Sequence, residues 1–175
     1  MFPATPTDRL TVRAARPADA AEAAATVAAS IRDLCSADHG NDPAALTAWL
    51  ANKTTEGLAA MIGDPNATVW LALREGQIVA VGQTTRDGHA EGGGKITLNY
   101  VAPAARGSGA STALLAAMEQ ALARQGTVTA RLTSTATARA FYLVRGWQPA
   151  APPRQGRWIE GHPMEKTLSR DRTGA

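Results

Sequence analysis

Val101-Ala-Pro-Ala-Ala-Arg-Gly-Ser-Gly-Ala-Ser-Thr-Ala-Leu-Leu115 joins a strand-like run to a helix-like one. Upstream, Lys95-Ile-Thr-Leu-Asn-Tyr-Val101 has the residue types of a strand. Downstream, Leu114, Leu115, Met118 and Leu122 recur at helical spacing. A helix is expected from about Ser111 to Arg124, with Gly126 ending it. Gly107 and Gly109 have no Cβ, so main-chain amides there can come close to a ligand. The first turn of a helix has unpaired N–H groups and a partial positive charge, so this junction suits a phosphate. The amides from Arg106 to Ala110, the Arg106 side chain and the hydroxyls of Ser108, Ser111 and Thr112 are the candidate donors. An ordinary glycine turn, with Ser111 or Thr112 as the helix cap, has the same spelling. Two phosphate loops do not fit. A P-loop ends in Gly-Lys-Ser/Thr, which is missing here. A dinucleotide fingerprint needs a third Gly where Thr112 stands.

The chain has 175 residues, which suits one domain over residues 1–175, with its core at about residues 10–168 and short flexible tails. No apolar run approaches the ~18–20 residues of a membrane span. MFPATPTDRL lacks the basic start and apolar stretch of a secretory signal. Cys35 is the only cysteine, so no intrachain disulfide can form. A cytoplasmic location is expected. Residues 1–123 carry nine Lys/Arg against twelve Asp/Glu; residues 124–175 carry nine against three. The basic last third suits a polyanionic small molecule, or it is a solvated basic surface. The cations are scattered singly with few aromatics between them, so a nucleic-acid surface is not favoured.

Around this junction the other elements follow in order. Leu10-Thr-Val-Arg-Ala reads as a first strand and Pro17 to about Cys35 as an alanine-rich helix. Ser36 to Pro43 reads as a loop and about Ala44 to Met61 as a second helix. Val69-Trp-Leu-Ala-Leu and Gln77-Ile-Val-Ala-Val-Gly are strands joined at Glu75-Gly76. A flexible stretch, His89-Ala-Glu-Gly-Gly-Gly, precedes the strand ending at Val101, and Glu91 within it reads as solvated. Val128-Thr-Ala-Arg-Leu-Thr is a strand, Ala136 to about Arg145 a short helix, and Trp147 onward and Met164-Glu-Lys-Thr-Leu are terminal strands. This order gives an α+β (mixed α/β) sheet rather than a regular βαβ array.

Val101-x-Pro103-x-x-Arg106-Gly-x-Gly109-x-Ser111-x-x-Leu114-Leu115 resembles the acetyl-CoA motif of GNAT-type N-acetyltransferases, written Gln/Arg-x-x-Gly-x-Gly/Ala. Arg106 and Gly109 match, and Ser111 replaces the last small residue. Downstream, Thr135-Ala-Thr-Ala138-Arg-Ala-Phe141-Tyr142-Leu-Val-Arg-Gly146-Trp147 resembles the family's Asn-x-x-Ala-x-x-Phe-Tyr-x-x-x-Gly-Phe, with Thr135 in place of Asn. The pair is far more specific than either motif. The resemblance implies a central, twisted, mostly antiparallel sheet of about six to seven strands with about four flanking helices.

It further implies transfer of acetyl from acetyl-CoA to a primary amine by direct attack. Main-chain groups at Tyr100 and Val101 would receive the pantetheine, and Arg106 to Thr112 the pyrophosphate. Thr135, Ala138, Phe141 and Arg145 complete the expected cofactor side, with Arg139 a weaker candidate for the phosphates. Tyr142 is the expected proton donor to the leaving thiolate; as a phenol it holds its proton at neutral pH. A packed aromatic on an amphipathic helix is its other reading. Asp38 and His39, in the loop after the first helix, and Asn99 are candidates for the acceptor site. Cys35 reads as a small buried hydrophobe. The histidines and acidic residues have no metal-ligand spacing, so no metal is expected. Two other functions keep parts of this reading: a non-catalytic CoA-binding regulatory module, and an acetyltransferase acting on an amine linked to nucleic acid, such as aminoacyl-tRNA. The acceptor's identity and the choice between monomer and homodimer stay open.

Overall fold

The computed structural model describes residues 9–86 and 92–168. In chain order its elements are β1 (Thr11–Ala14), α1 (Ala20–Leu34), α2 (Ser36–His39), α3 (Pro43–Leu50), α4 (Thr55–Gly63), β2 (Ala67–Arg74), β3 (Gln77–Arg86), β4 (Gly93–Val101), α5 (Ala110–Arg124), β5 (Thr129–Ser134), α6 (Arg139–Leu143), β6 (Gln148–Pro149), β7 (Arg154–Gln155) and β8 (Glu160–Thr167). The sheet runs β1-β2-β3-β4-β5-β8-β6, with β7 paired to β8 beside that path. All neighbours are antiparallel except β4 and β5, which are parallel. The expected mixed, mostly antiparallel sheet is therefore the fold.

The apolar run Val69–Leu73 shows why the sheet has two covered faces. Successive strand residues point to opposite sides. Val69, Leu71 and Leu73 join Ala23, Val27 and Ile31 of α1 and Leu58 of α4 in one core. Ala72 and Ala80 join Leu114, Leu115, Met118 and Leu122 of α5 in the other. The small residues on that second face let α5 approach closely. At Gly82 of β3, an added Cβ would lie 2.5 Å from the Met118 sulfur.

Three expectations change in detail. The second helix, expected from Ala44 to Met61, is two helices. Asp42 accepts from the Ala45 N–H (3.1 Å) to start α3, and Thr54 accepts from the Gly57 N–H (3.0 Å) to start α4. Each cap satisfies an end donor that a continuous helix would have paired internally. The Ser36–Pro43 loop contains the short helix α2, closed by Gly40 at φ +59°. The two-residue strands β6 and β7 take the strand number to eight among the described residues. His89 to Glu91 of the expected flexible stretch lie outside the described residues, while Gly93 and Gly94 begin β4.

Gly82→Val forces a side chain into the Met118 contact. It should destabilise the fold by about 1–3 kcal/mol, read as a lower urea midpoint at an unchanged m-value. Gly63→Ala, where an added Cβ meets nothing within 4 Å, should stay within about 0.5 kcal/mol of wild type.

Candidate functional site

The site begins where two parallel strands part. β4 and β5 are paired from Gly93 and Thr129 to Ile96 and Leu132. Beyond that, β5 stays with β8 through Thr133 and Ser134, while β4 stays with β3 through Asn99, Tyr100 and Val101. Thr97 is an extra residue in β4: Leu98 faces Gln83 and Ile96 faces Thr84. Such a bulge bends the strand and sharpens its twist. The Thr97 hydroxyl donates to Gln83 Oε1 at 2.8 Å. A wedge of about 540 Å³ opens between the parted strands. From Thr97 to Val101, β4 has no ladder partner on that side.

The N-terminus of α5 faces the same wedge. Gly109 precedes the helix at φ +86° and Gly107 lies at φ +75°. A Cβ at either position meets nothing within 4 Å, so glycine is selected by the left-handed backbone and not by crowding. No side chain caps the helix. Ser111 and Thr112 are therefore not the cap, and the first-turn amides are left for another partner. Arg106, Gly107, Gly109, Ser111 and Thr112 line the wedge; Ser108 and Ala110 do not. The Ser108 carbonyl instead accepts from Arg74 (3.2 Å), and Ala110 is core.

Arg145 bridges this helix to α6. Its Nη2 donates to Thr112 Oγ1 and its Nη1 to the Phe141 carbonyl, both at 2.8 Å. The guanidinium lies 3.8 Å over the Phe141 ring, and Nε is buried with no partner. Arg145, Phe141, Ala138 and Thr135 all line the wedge, and Arg139 does not. Thr135 caps the turn before α6, its hydroxyl accepting from the Ala138 N–H at 3.0 Å.

Tyr142 is buried and lines the wedge. Its ring packs edge-on against Phe141 (5.3 Å) and Trp147 (5.9 Å). Trp147 is fixed in turn by Glu119 of α5, whose carboxylate also holds Lys166. The phenol oxygen accepts from Asn99 Nδ2 at 3.0 Å. Burial pushes the Tyr142 phenol up to about 12, against the opposing pull of the Asn99 bond, so it stays protonated at neutral pH. The Tyr142 side chain is packed in the core and is also part of the wall of the wedge.

The acceptor candidates separate. Asn99 lines the wedge, and its Oδ1 is buried without a partner. Tyr100 also lines it; its oxygen accepts from Trp49 Nε1 at 3.2 Å, and burial raises its pKa. Asp38 is not in the wall. Its carboxylate accepts from the Ala136 N–H (2.7 Å) and from the Thr137 hydroxyl, tying α2 to the turn before α6. His39 needs correction as an acceptor-site residue. It is 3 % exposed, with Nε2 at 3.1 Å from the Ile31 carbonyl and Nδ1 accepting from the Asn41 N–H at 3.0 Å. Both ring nitrogens are used by main chain, which fixes the tautomer.

The sequence reading missed Ser30, Leu34, Thr97, Thr133, Ser134 and Thr137 in the wall. Ser30 had one signal: a polar residue on the buried face of an alanine-rich helix. Cys35 is buried, as expected, but it also lines the wedge, and burial lifts its thiol to about 12. Among the described residues no group of three or more His, Cys, Asp or Glu is placed to hold a metal, and no helix is long and apolar enough to cross a membrane.

Residues 35–168 match the family model described as the acetyltransferase (GNAT) domain. Among solved structures, the fold is similar to PaiA N-acetyltransferase from Thermoplasma acidophilum, a complex with coenzyme A. The TM-score is 0.76 at 15 % identity, covering 91 % of this chain and 99 % of that one. It is similar to a GCN5-related N-acetyltransferase from Rhodopseudomonas palustris, with TM-score 0.74, 25 % identity and coverage of 96 % and 100 %. The ribosomal-protein-S18-alanine N-acetyltransferase from Escherichia coli gives TM-score 0.61, 17 % identity and coverage of 95 % and 99 %. A search of curated proteins found no match. With three quarters of its length matched and both motifs facing one wedge, the chain belongs to the GNAT acetyltransferase family and is an acyltransferase.

Proposed function

We propose that this protein moves an acetyl group from acetyl-CoA to a primary amine by direct attack, with Tyr142 as the proton donor to the departing sulfur. The observation that carries this reading is a shared opening: the uncapped N-terminus of α5 and Tyr142, whose phenol stays protonated, both line the wedge between β4 and β5. The residues fit such a donor. The first-turn amides of α5 need acceptors, which a pyrophosphate supplies, and Arg106 and Arg145 bring positive charge to the same end. The ladder-free edge of β4 needs partners, which pantetheine amides supply. A thioester so bound brings an activated acyl group whose carbonyl becomes an oxyanion on attack, and preoriented donors stabilise that charge. The coenzyme A complex of the Thermoplasma acidophilum protein agrees with this choice of donor. The cytoplasm, a reducing compartment, suits the lone thiol of Cys35.

Tyr142 has two tasks in this scheme. Its O–H hydrogen-bonds the sulfur as negative charge grows there. It also passes a proton to the thiolate and is refilled from the nitrogen that has gained a bond to carbon. A phenol held near 12 does not ionise first; its transfer is coupled to C–S cleavage.

Calorimetric titration with acetyl-CoA should give saturable 1:1 binding; no binding at millimolar ligand would falsify the reading. Ser111→Glu puts a carboxylate in the first turn of α5 and should weaken acetyl-CoA binding roughly tenfold or more. In an acetyl-CoA consumption screen over a panel of amines, Tyr142→Phe should reduce kcat by about 10²–10⁴. Its acetyl-CoA affinity should stay within about threefold of wild type, because the lost hydroxyl acts mainly in the transition state. Unchanged turnover in that variant removes Tyr142 from the chemistry.

A further inference from the structure

On the side of the sheet away from α5, the wedge meets a polar group that the fold leaves without a partner. There the end of α1 contributes Ser30 and Leu34 to the wall, with Cys35 just beyond the helix. Ser30 is 2 % exposed and lies on the buried face of the helix, one residue before Ile31. A serine inside a helix commonly returns its hydroxyl to the carbonyl one turn back. Thr26 makes this bond, donating to the Glu22 carbonyl at 2.9 Å. Ser30, one turn further on, does not. Its hydroxyl makes no hydrogen bond among the described residues, and it is not sealed from open space as Asn99 Oδ1 is. The space it borders is the wedge. Alanine, the commonest residue of this helix, would sit here with higher helix propensity and no unpaired hydroxyl. The packing of α1 therefore gives no reason for the hydroxyl, whereas a ligand in the wedge does.

The donor of the reading above leaves this wall free. Its phosphates face the α5 amides, Arg106 and Arg145, and its pantetheine follows the ladder-free edge of β4. Ser30 comes from the opposite face, the one left for the second reactant. This wall also borders the reacting end: Tyr100 lies close enough to both Cys35 and Tyr142 for each to act on its phenol. Ser30, Leu34, Cys35 and Tyr100 are all uncharged, yet the field across them is negative. Burial first, and then the Asp38 carboxylate, lifts the Cys35 thiol to about 12, with Arg106 opposing more weakly. Asp38 also adds to the rise that burial imposes on Tyr100. An anion held against this wall leaves water, meets that field and finds no cation among these residues. An uncharged amide fits instead: its carbonyl accepts from the Ser30 hydroxyl, or its N–H donates to it.

We propose that Ser30 sets acceptor specificity by hydrogen-bonding an uncharged amide on the carbon next to the reacting amine. This rests on the acetyl-transfer reading above. Amino-acid amides and peptide N-termini are the class that carries such a group. Free amino acids put a carboxylate at the same place, and simple alkylamines put nothing there that can pair. Ser30 thereby selects among acceptors and takes no part in the proton transfers or in holding the donor.

The test follows three primary amines whose amine carbon carries a methyl, alaninamide, alanine and isopropylamine, at saturating acetyl-CoA and pH 9. Ser30→Ala should lower kcat/KM for alaninamide about tenfold, the worth of one hydrogen bond. It should leave isopropylamine, which has no pairing group to lose, and the acetyl-CoA Kd each within about twofold. Taking the mutant-to-wild-type ratio for each amine removes their differences in basicity. With wild-type enzyme, alanine should fall roughly a hundredfold or more below alaninamide, because its carboxylate has no counter-ion there. No loss for alaninamide, or an equal loss for isopropylamine, makes Ser30 a packing residue and overturns the proposal. A rise in the acetyl-CoA Kd assigns the hydroxyl to the donor and overturns it too. So does alanine turnover matching that of alaninamide, or acetyl-CoA binding with none of the three amines acetylated. Absence of acetyl-CoA binding instead fails the underlying acetyl-transfer reading.

Discussion

The parting of β4 from β5 after Ile96 and Leu132 is the constraint on which the site depends. Two parallel strands normally cover each other's main-chain groups. Here the extra residue Thr97 bends β4 toward β3, and β5 follows β8. The separation leaves one side of β4 from Thr97 to Val101 without a strand. Unpaired N–H and C=O groups carry a free-energy penalty unless water or a ligand meets them. A linear ligand with its own amides meets them in the manner of an added strand. Tyr142 of α6 lines the same gap.

Holding a sheet open in this way requires firm support on both sides. On one face α5 lies close over β3 at Gly82 and fills the core with Leu114, Leu115, Met118 and Leu122. On the other, α1 and α4 pack on Val69, Leu71 and Leu73. Three polar ties then join the arms. Glu119 links α5 to Trp147 and to Lys166 of β8, and Lys166 also donates to the Arg145 carbonyl. Asp38 links α2 to the turn before α6. Arg145 links α6 to α5. Each tie passes within a few residues of a wall residue. They explain how a short helix, α6, can present Tyr142 in a fixed direction.

The electrostatics of the wedge are uneven. The α5 end has amides, Arg106 and Arg145, and favours anions. The Tyr142 end has neutral donors and acceptors whose burial keeps them neutral. A donor with an anionic tail and a neutral thioester matches that gradient. Tyr100 belongs to the support of this neutral end: Trp49 of α3 holds its oxygen and fixes the ring against the wall.

The local sequence determined the elements, because hydrophobic period and turn chemistry act over a few residues. The β4–loop–α5 junction, the hairpin at Glu75-Gly76 and the two motif helices were all legible, and the pairing of the motifs indicated the family. Tertiary structure decided the rest. Thr54 caps α4 and ends the expected single helix there, with α4 packed on α1 and β2 and α3 on α1. His39 looked like a polar loop residue, yet main-chain groups brought together by the turn after α1 bury it and use both nitrogens. Asp38 acquired partners 98 and 99 residues away, a distance no local pattern encodes. The bond between Asn99 and Tyr142 spans 43 residues and exists only because β4 and β5 diverge by the right amount. Sequence thus specified the two motifs that meet at the wedge; the packing of α5 and α1 on a bent sheet decided which other residues join its wall, because side-chain direction is set by packing rather than by position in the chain.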